Sequence, residues 1–473
     1  MEESAKKENG GLKMPPRGIT ILALVGPGLV WAGEYIGSGE VILCTRLGAL
    51  LGTAILWAPM MAIFLKYVIG LSGARYTVVT GEGMMDMFGR VPGPAKWAVW
   101  LVLFGQFAAG AVSMSGLSVA AAAFIGALTP VNNTLVAWIV ALFCVGVVWS
   151  GKFDPVKWVT SFLVLIMVSG VLYVAWNVTP GLGEVLKGLF GFSLPDIPDW
   201  AMQSGALASS NVWAEMLPVL GWAAGGFASQ VWYSYWVLES GYGMAEHGGF
   251  GVPADEKKLA AMDLETAKRV KGWCRVVYAD ATTALIVGSL VTSCFMLAGA
   301  GVLGKLHIAP NGAQVAIQLS ELFGSFWGRT GAVLFLLAGV AAMVSTNVCQ
   351  YAGWPRLMSD CLRILFPPLL RKVPQKIIFR VFVTVFFFTN MVIINTFGVE
   401  PLFLVRLGAV LDGLLLCPIQ ALIVALALYW IAPRLLSEEA RRVLRPGWFF
   451  LIGLLASALV FGYFAFVKIP TLL

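Results

Sequence analysis

The chain has 473 residues, of which 59% are apolar or aromatic and 12% charged, with a mean hydropathy of +0.84. Soluble domains carry about 25% charged residues, so a soluble enzyme, a coiled coil and a disordered chain are excluded. The net charge of +7 sits in short gaps between apolar runs, not on the solvated basic patch that a nucleic acid needs. The composition is that of a polytopic α-helical membrane protein, with the lipid bilayer as its solvent and no nucleic acid as partner.

The first segment, residues 1–17, is polar and Lys-bearing and lacks a small-residue cleavage site. It reads as a cytoplasmic tail and not as a signal peptide. About eleven apolar runs follow that satisfy the ~20-residue length of a membrane span. They cover Gly18–Ala49, Leu50–Ala74, Trp97–Leu128, Thr134–Ser150, Val156–Val178, Glu215–Gly241, Val276–Leu303, Gly331–Ala352, Ile377–Asn395, Leu402–Ile431 and Trp448–Val467. A transmembrane β-barrel is excluded, because its strands alternate over ~10 residues and do not form long apolar runs. The expected division is a transporter core over 18–431 and a cytoplasmic linker with the eleventh span over 432–473.

Span one is interrupted by Glu34-Tyr35-Ile36-Gly37-Ser38-Gly39-Glu40. Two glycines around a serine invite a break, and the flanking carboxylates are costly in lipid unless paired or solvated. Span two carries Lys66, which either snorkels to the headgroups or pairs within a pathway. Span six holds Gly221, Gly225 and Gly226, followed by Ser229, Gln230, Trp232, Tyr233, Tyr235 and Trp236. These aromatics fit a substrate-facing wall or an interfacial belt equally well. Asp280 at the start of span seven fits an interfacial position. Ser345-Thr346-Asn347 in span eight offer oxygens for an ion or for helix packing. Arg406 and Asp412 in span ten are six residues apart, so they cannot pair on one helix face, and each needs another partner. Broken helices at matching places in two halves are the mark of a transporter site. Spans one and six, five apart, suit a five-plus-five inverted repeat (spans 1–5 and 6–10) with one helix added.

Two connections are long. Pro180 to Trp213 is an outer loop. Tyr242 to Arg275 is an inner one, whose stretch Ala254–Lys271 reads as an amphipathic surface helix with acids early and bases late. Asn311–Trp327 reads as a second surface helix, outside. With the N-terminus inside, about 25 of the 32 Lys and Arg residues fall on the inner face, the bias that orients such proteins. The seven cysteines include no CxxC pair, and they read as free thiols. His247 and His307 are far apart in loops, which argues against a zinc site.

Gly26-Pro27-Gly28, the Gly37–Glu40 break, Leu47-Gly48-Ala49, Leu56-Trp57, Ala74-Arg75 and Val78-Val79-Thr80-Gly81 together resemble the Nramp family (natural resistance-associated macrophage proteins). That family lies within the LeuT-like, amino acid-polyamine-organocation superfamily. Ala338-Gly339 and Tyr351-Ala352-Gly353 are similar in kind. The resemblance implies an all-α LeuT-like fold, alternating access, and proton-linked import of divalent metals such as manganese or iron. The family's residues carry over poorly. Its Asp-Pro-Gly-Asn reads Gly37-Ser38-Gly39-Glu40, so the metal-binding Asp falls on Gly37 and the Asn on Glu40. Its Met-Pro-His is absent, the methionine falling near Ser229 or Gln230 and the histidine near Val231 or Trp232. Its third-span acids fall on Gly110 and Ser113.

A thioether selects soft transition metals; without it, oxygen donors suit a harder ion such as Mg²⁺. Nramp-related magnesium transporters also lack the methionine. The expected function is therefore a secondary transporter of a divalent cation of the Mg²⁺ or Mn²⁺ type. Gly37, Ser38, Gly39, Glu40, Glu34, Ser229, Gln230 and Tyr233 are its binding candidates. Lys66, Asp412 and Asn347 are candidates for coupling or gating. The alternative is a small organic solute in the same fold, boxed by the span-six aromatics. Pocket size discriminates between the two. No nucleophile–base pair or phosphate loop indicates an enzyme, no cofactor is implied, and the oligomeric state is not encoded legibly. The expected address is a bacterial inner membrane.

Overall fold

A computed structural model describes residues 12–150, 154–205, 207, 210–398 and 400–472. These are helices and connections, and no β-strand forms among them. Lipid offers backbone groups no hydrogen bonds, so each apolar run satisfies its own by coiling into a helix. Eight helices are long and apolar enough to cross a membrane, and a bent pair, Pro27–Glu34 with Gly39–Ile55, makes up to nine. The shorter apolar helix Asn133–Trp149 stands at the fourth expected position. The sixth is occupied by two half-helices, Val212–Trp222 and Phe227–Glu239. All seven cysteines are free. The tail expected over 1–17 lies mostly outside the described residues, as does Lys152.

Burial separates an inner bundle from an outer ring. Most of span two (83% of its apolar window) and of span three (72%) is covered by protein. Only 22% of span five and 28% of span nine is covered, so their apolar side chains face lipid. Span three packs along span eight and span ten, and span one lies between span six and span seven. The closest approach is backbone to backbone, where small residues permit it. A Cβ on Gly48 would stand 2.1 Å from the Met296 carbonyl oxygen, and one on Gly299 would stand 2.1 Å from that of Thr45.

Several boundaries differ from the apolar runs. Span one becomes α-helical only at Pro27, after a 3₁₀ turn over Gly18–Leu24. Span two is Trp57–Thr80, because left-handed Gly52 and the 3₁₀ turn Gly52–Ile55 end the preceding helix. The expected surface helix over 254–271 is two pieces. A short helix covers Glu256–Ala260; then Asp263 accepts from the Thr266 N–H (2.8 Å) and caps Leu264–Ala298, which runs straight into span seven. Likewise the outer helix from Val315 continues into span eight, turning at left-handed Gly328. Hydropathy marks where a chain meets lipid, while caps and left-handed residues decide where a helix begins and ends.

Gly48→Ala should cost roughly 1–3 kcal/mol by overpacking. Gly146→Ala, with nothing within 4 Å of its new Cβ, should be neutral within about 0.5 kcal/mol. Thermal unfolding of the two variants in detergent reads the difference.

Candidate functional site: two broken helices around an ion-sized cavity

The first half of span one and the second half of span six are fastened together. Gly26 N–H donates to Asp280 Oδ1 (2.9 Å), and Tyr233 OH donates to Asp280 Oδ2 (2.8 Å). Trp31 stacks on Tyr233 at 4.4 Å and donates its indole N–H to Ser229 Oγ (2.9 Å). Ser229 in turn donates to Glu34 Oε2 (2.7 Å). Asp280 is fully buried, so it is a latch in the core and not an interfacial residue. The span-six aromatics Trp232, Tyr233 and Tyr235 are likewise buried in protein and do not form a lipid belt.

Span one opens after Tyr35. Ile36 leaves helical geometry (ψ 74°), and its carbonyl accepts from Thr346 Oγ1 at 3.5 Å. Gly37 lies against that threonine and Gly39 against Trp222, where Cβ atoms would stand 2.9 and 3.3 Å from their neighbours. The chain restarts as a π-wound turn over Gly39–Cys44, with an overall bend of 48°. Such wide turns recur at functional sites. Glu40 is almost wholly buried; its Oε1 accepts from Thr292 Oγ1 (3.3 Å), and its Oε2 has no partner.

Span six opens after Trp222. Ala224 and Gly225 take left-handed backbone (φ 62° and 69°), a costly choice for alanine. Two charged side chains hold the break. Fully buried Lys66 donates to the carbonyls of Gly221 (2.5 Å), Ala223 (3.1 Å) and Gly225 (2.7 Å). Asp412 Oδ1 accepts from the Ala228 N–H (3.1 Å) at the start of the second half-helix. A Cβ on Gly226 would stand 1.7 Å from Asp412 Oδ2, so only glycine fits. The cation sits at a carbonyl end and the anion at an N–H end, as the helix dipoles prefer.

Between the breaks lies a cavity of about 30 Å³ lined by Glu34, Glu40 and Asp412, by Gly37, Ser38, Gly39, Gly225 and Gly226, and by Thr346, Gln350 and three tryptophans. Gln350 Oε1 has no hydrogen-bond partner. No methionine, histidine or cysteine lines it among the described residues. The other expected site residues stand elsewhere. Ser229 touches the cavity only through Glu34, and Tyr233 lies under Trp31. Gln230 is buried, with neither amide atom paired. Asn347 donates to Ser118 Oγ (2.9 Å). Lys66 stands behind the span-six break and not in the lining, and it does not snorkel. Gln350 and Trp354 were not foreseen; the available signal was helical spacing, since Thr346, Gln350 and Trp354 repeat every fourth residue on one face.

An ion cluster joins the other halves of the two broken spans. Arg46 donates to both carboxylate oxygens of Glu215 (2.9 and 3.2 Å) and to the Pro310 carbonyl, and Arg406 also pairs with Glu215. These ions tie the second half of span one and the first half of span six to span ten. A larger cavity, of about 690 Å³, lies between spans one, four, six, eight and nine; Trp232 lines both cavities, and the Arg356–Glu239 pair (2.9 Å) stands at the larger one.

Two half-helix pairs facing each other inside a membrane bundle define a transporter of LeuT-like architecture. The Nramp family model (Natural resistance-associated macrophage protein-like) matches residues 28–429. The chain belongs to the Nramp family. A divalent metal cation transporter MntH of Yersinia enterocolitica is 22% identical over 354 residues, 74% of this chain and 76% of that one. A structure of the Eremococcus coleocola manganese transporter superposes with a TM-score of 0.64 at 16% identity, covering 96% of this chain and 90% of the other. MhsT in complex with L-phenylalanine shares the architecture at a TM-score of 0.51 and 14% identity, over 96% of this chain and 100% of that one.

Lys66→Met leaves three buried carbonyls without their charged donor. A loss of about 3 kcal/mol or more is expected, read as a lower unfolding midpoint in detergent. Gly226→Ala, which drives a methyl into Asp412, should give no correctly folded protein by size-exclusion chromatography.

Proposed function

We propose that this protein is a secondary transporter that carries a divalent cation, Mg²⁺ or Mn²⁺, by alternating access through the cavity between the two breaks. The observation that carries the reading is the cavity itself. It is ion-sized, carboxylate-walled and placed where both helices are interrupted. Its volume of about 30 Å³ is room for about two water molecules, at about 10–15 Å³ each. An organic solute does not fit there. The larger aromatic-lined cavity lacks Glu34, Glu40 and Asp412, and its one carboxylate, Glu239, is paired with Arg356, so the organic-solute reading has space in one place and unpaired carboxylates in another.

The donor set favours a hard ion. Carboxylate, amide and backbone oxygens suit Mg²⁺ and Mn²⁺, while the thioether and imidazole that favour softer metals are missing. Among the described residues no three His, Cys, Asp or Glu side chains converge into a ready-made cage. That suits Mg²⁺, which keeps several waters and takes few protein ligands. Glu40 Oε2 and Gln350 Oε1, both without partners, are the oxygens offered to the ion, with Glu34 and Asp412 adding negative charge. In this reading the Arg46–Glu215–Arg406 cluster is the outer gate, closed here. The larger cavity, on the face richer in Lys and Arg, is the inner mouth. The positive-inside rule then places the N-terminus in the cytoplasm of a bacterial cell.

The test is uptake into proteoliposomes loaded with Mg²⁺- and Mn²⁺-sensitive dyes. Wild type should take up the ion saturably, and Glu40→Gln should lower apparent affinity at least about tenfold, or ~1.4 kcal/mol. Uptake unchanged by Glu40→Gln would remove the carboxylate site, and no uptake by folded wild type would remove the cation reading.

A further inference from the structure

A second cavity, of about 590 Å³, lies away from both breaks, where span two, the end of span ten and the linker before span eleven meet. Arg75, Arg441, Arg442 and Arg445 line it with Tyr429, and no acid does so among the described residues. Arg75 forms the floor and is only 5% exposed. Its guanidinium donates to the Tyr278 hydroxyl and the Leu444 carbonyl (2.6 Å) and lies 5.4 Å from the Phe450 ring centre. All of these partners are neutral. Among the described residues no carboxylate stands within ion-pair distance of Arg75, Arg441 or Arg445; Arg442 pairs only with Glu438 one turn away. A buried guanidinium without a counter-ion is costly, and an anion entering this cavity would supply one.

The depth of the cavity selects the anion. It lies between Leu435, where span ten ends, and Trp448, where span eleven begins. Trp430 and Trp448 are exposed beside it, and Arg434 stacks over Trp430 at 3.4 Å. Exposed tryptophans with stacked arginines mark the level of lipid headgroups. Arginine forks match phosphate oxygens two at a time, and basic clefts between spans suit anionic headgroups.

We propose that this cavity binds the phosphate headgroup of an anionic phospholipid. Arg75 takes the phosphate from below, and Arg441 and Arg445 close on it from the linker. The bound lipid would fasten spans two, ten and eleven together, apart from the ion pathway and whatever that pathway carries.

The experiment is native mass spectrometry of the full chain in neutral detergent, titrated with phosphatidylglycerol, phosphatidylcholine or inorganic phosphate. Phosphatidylglycerol should bind at least about tenfold more tightly than phosphatidylcholine. Arg441→Gln/Arg445→Gln, at two exposed positions, should lose at least about tenfold in affinity while its lipid-free unfolding temperature stays at the wild-type value. Lys257→Gln/Lys258→Gln removes the same charge from an exposed helix outside the cavity and should bind as wild type. Three results would overturn the proposal: equal binding of the two lipids, equal loss in both double variants, or inorganic phosphate binding as tightly as the lipid.

Discussion

Lys66 holds three carbonyl groups of span six at a depth where no bulk water can hold them, and the site depends on that grip. Unwinding a helix inside a membrane frees backbone groups that lipid cannot satisfy. Here the freed carbonyls of Gly221, Ala223 and Gly225 go to one ammonium, while the freed N–H of Ala228 goes to Asp412. The break is therefore a built structure and not a loose hinge. The ammonium that stabilises it also acts on the carboxyl groups of Glu40 and Asp412.

Glycine makes the rest of the geometry possible. Gly226 leaves room for the Asp412 carboxylate, and Gly37 and Gly39 bring the span-one backbone against Thr346 and Trp222. The same economy operates beyond the break, where Gly48 and Gly299 let spans one and seven touch. The two halves of span one then behave differently. The first half is latched to span six and span seven through Trp31, Ser229, Tyr233 and Asp280. The second half is tied to span six and span ten through Arg46 and Glu215. The break at Gly37–Gly39 lies between these two attachments.

Much of the candidate site was legible because charge is rare inside apolar runs and because closely spaced glycines mark a break. Gly37, Ser38, Gly39, Glu40, Glu34 and Asp412 stood out on those grounds, and all line the cavity. Tyr233, Gln230 and Asn347 stood out equally, yet they point into helix contacts. Polarity alone does not say which way a helix is turned. Lys66 was seen as a charge needing a partner, but its partners are main-chain carbonyls about 155 to 159 positions away, for which no side-chain pattern exists. Gln350 carries neither charge nor glycine to mark it, and only the rotation of span eight brings its amide to the cavity.

Composition and spacing by themselves determined that the chain is a bundle of membrane helices, where its breaks fall, and which face carries the basic loops. These follow from the transfer cost of polar groups into lipid, which acts residue by residue. Packing decided the rest: the size of the cavity, the pairing of Glu215 with two arginines, the latch through Asp280 and the buried Arg75 without a counter-ion. Those depend on helix rotation and on contacts between segments far apart in the chain, which local pattern does not encode.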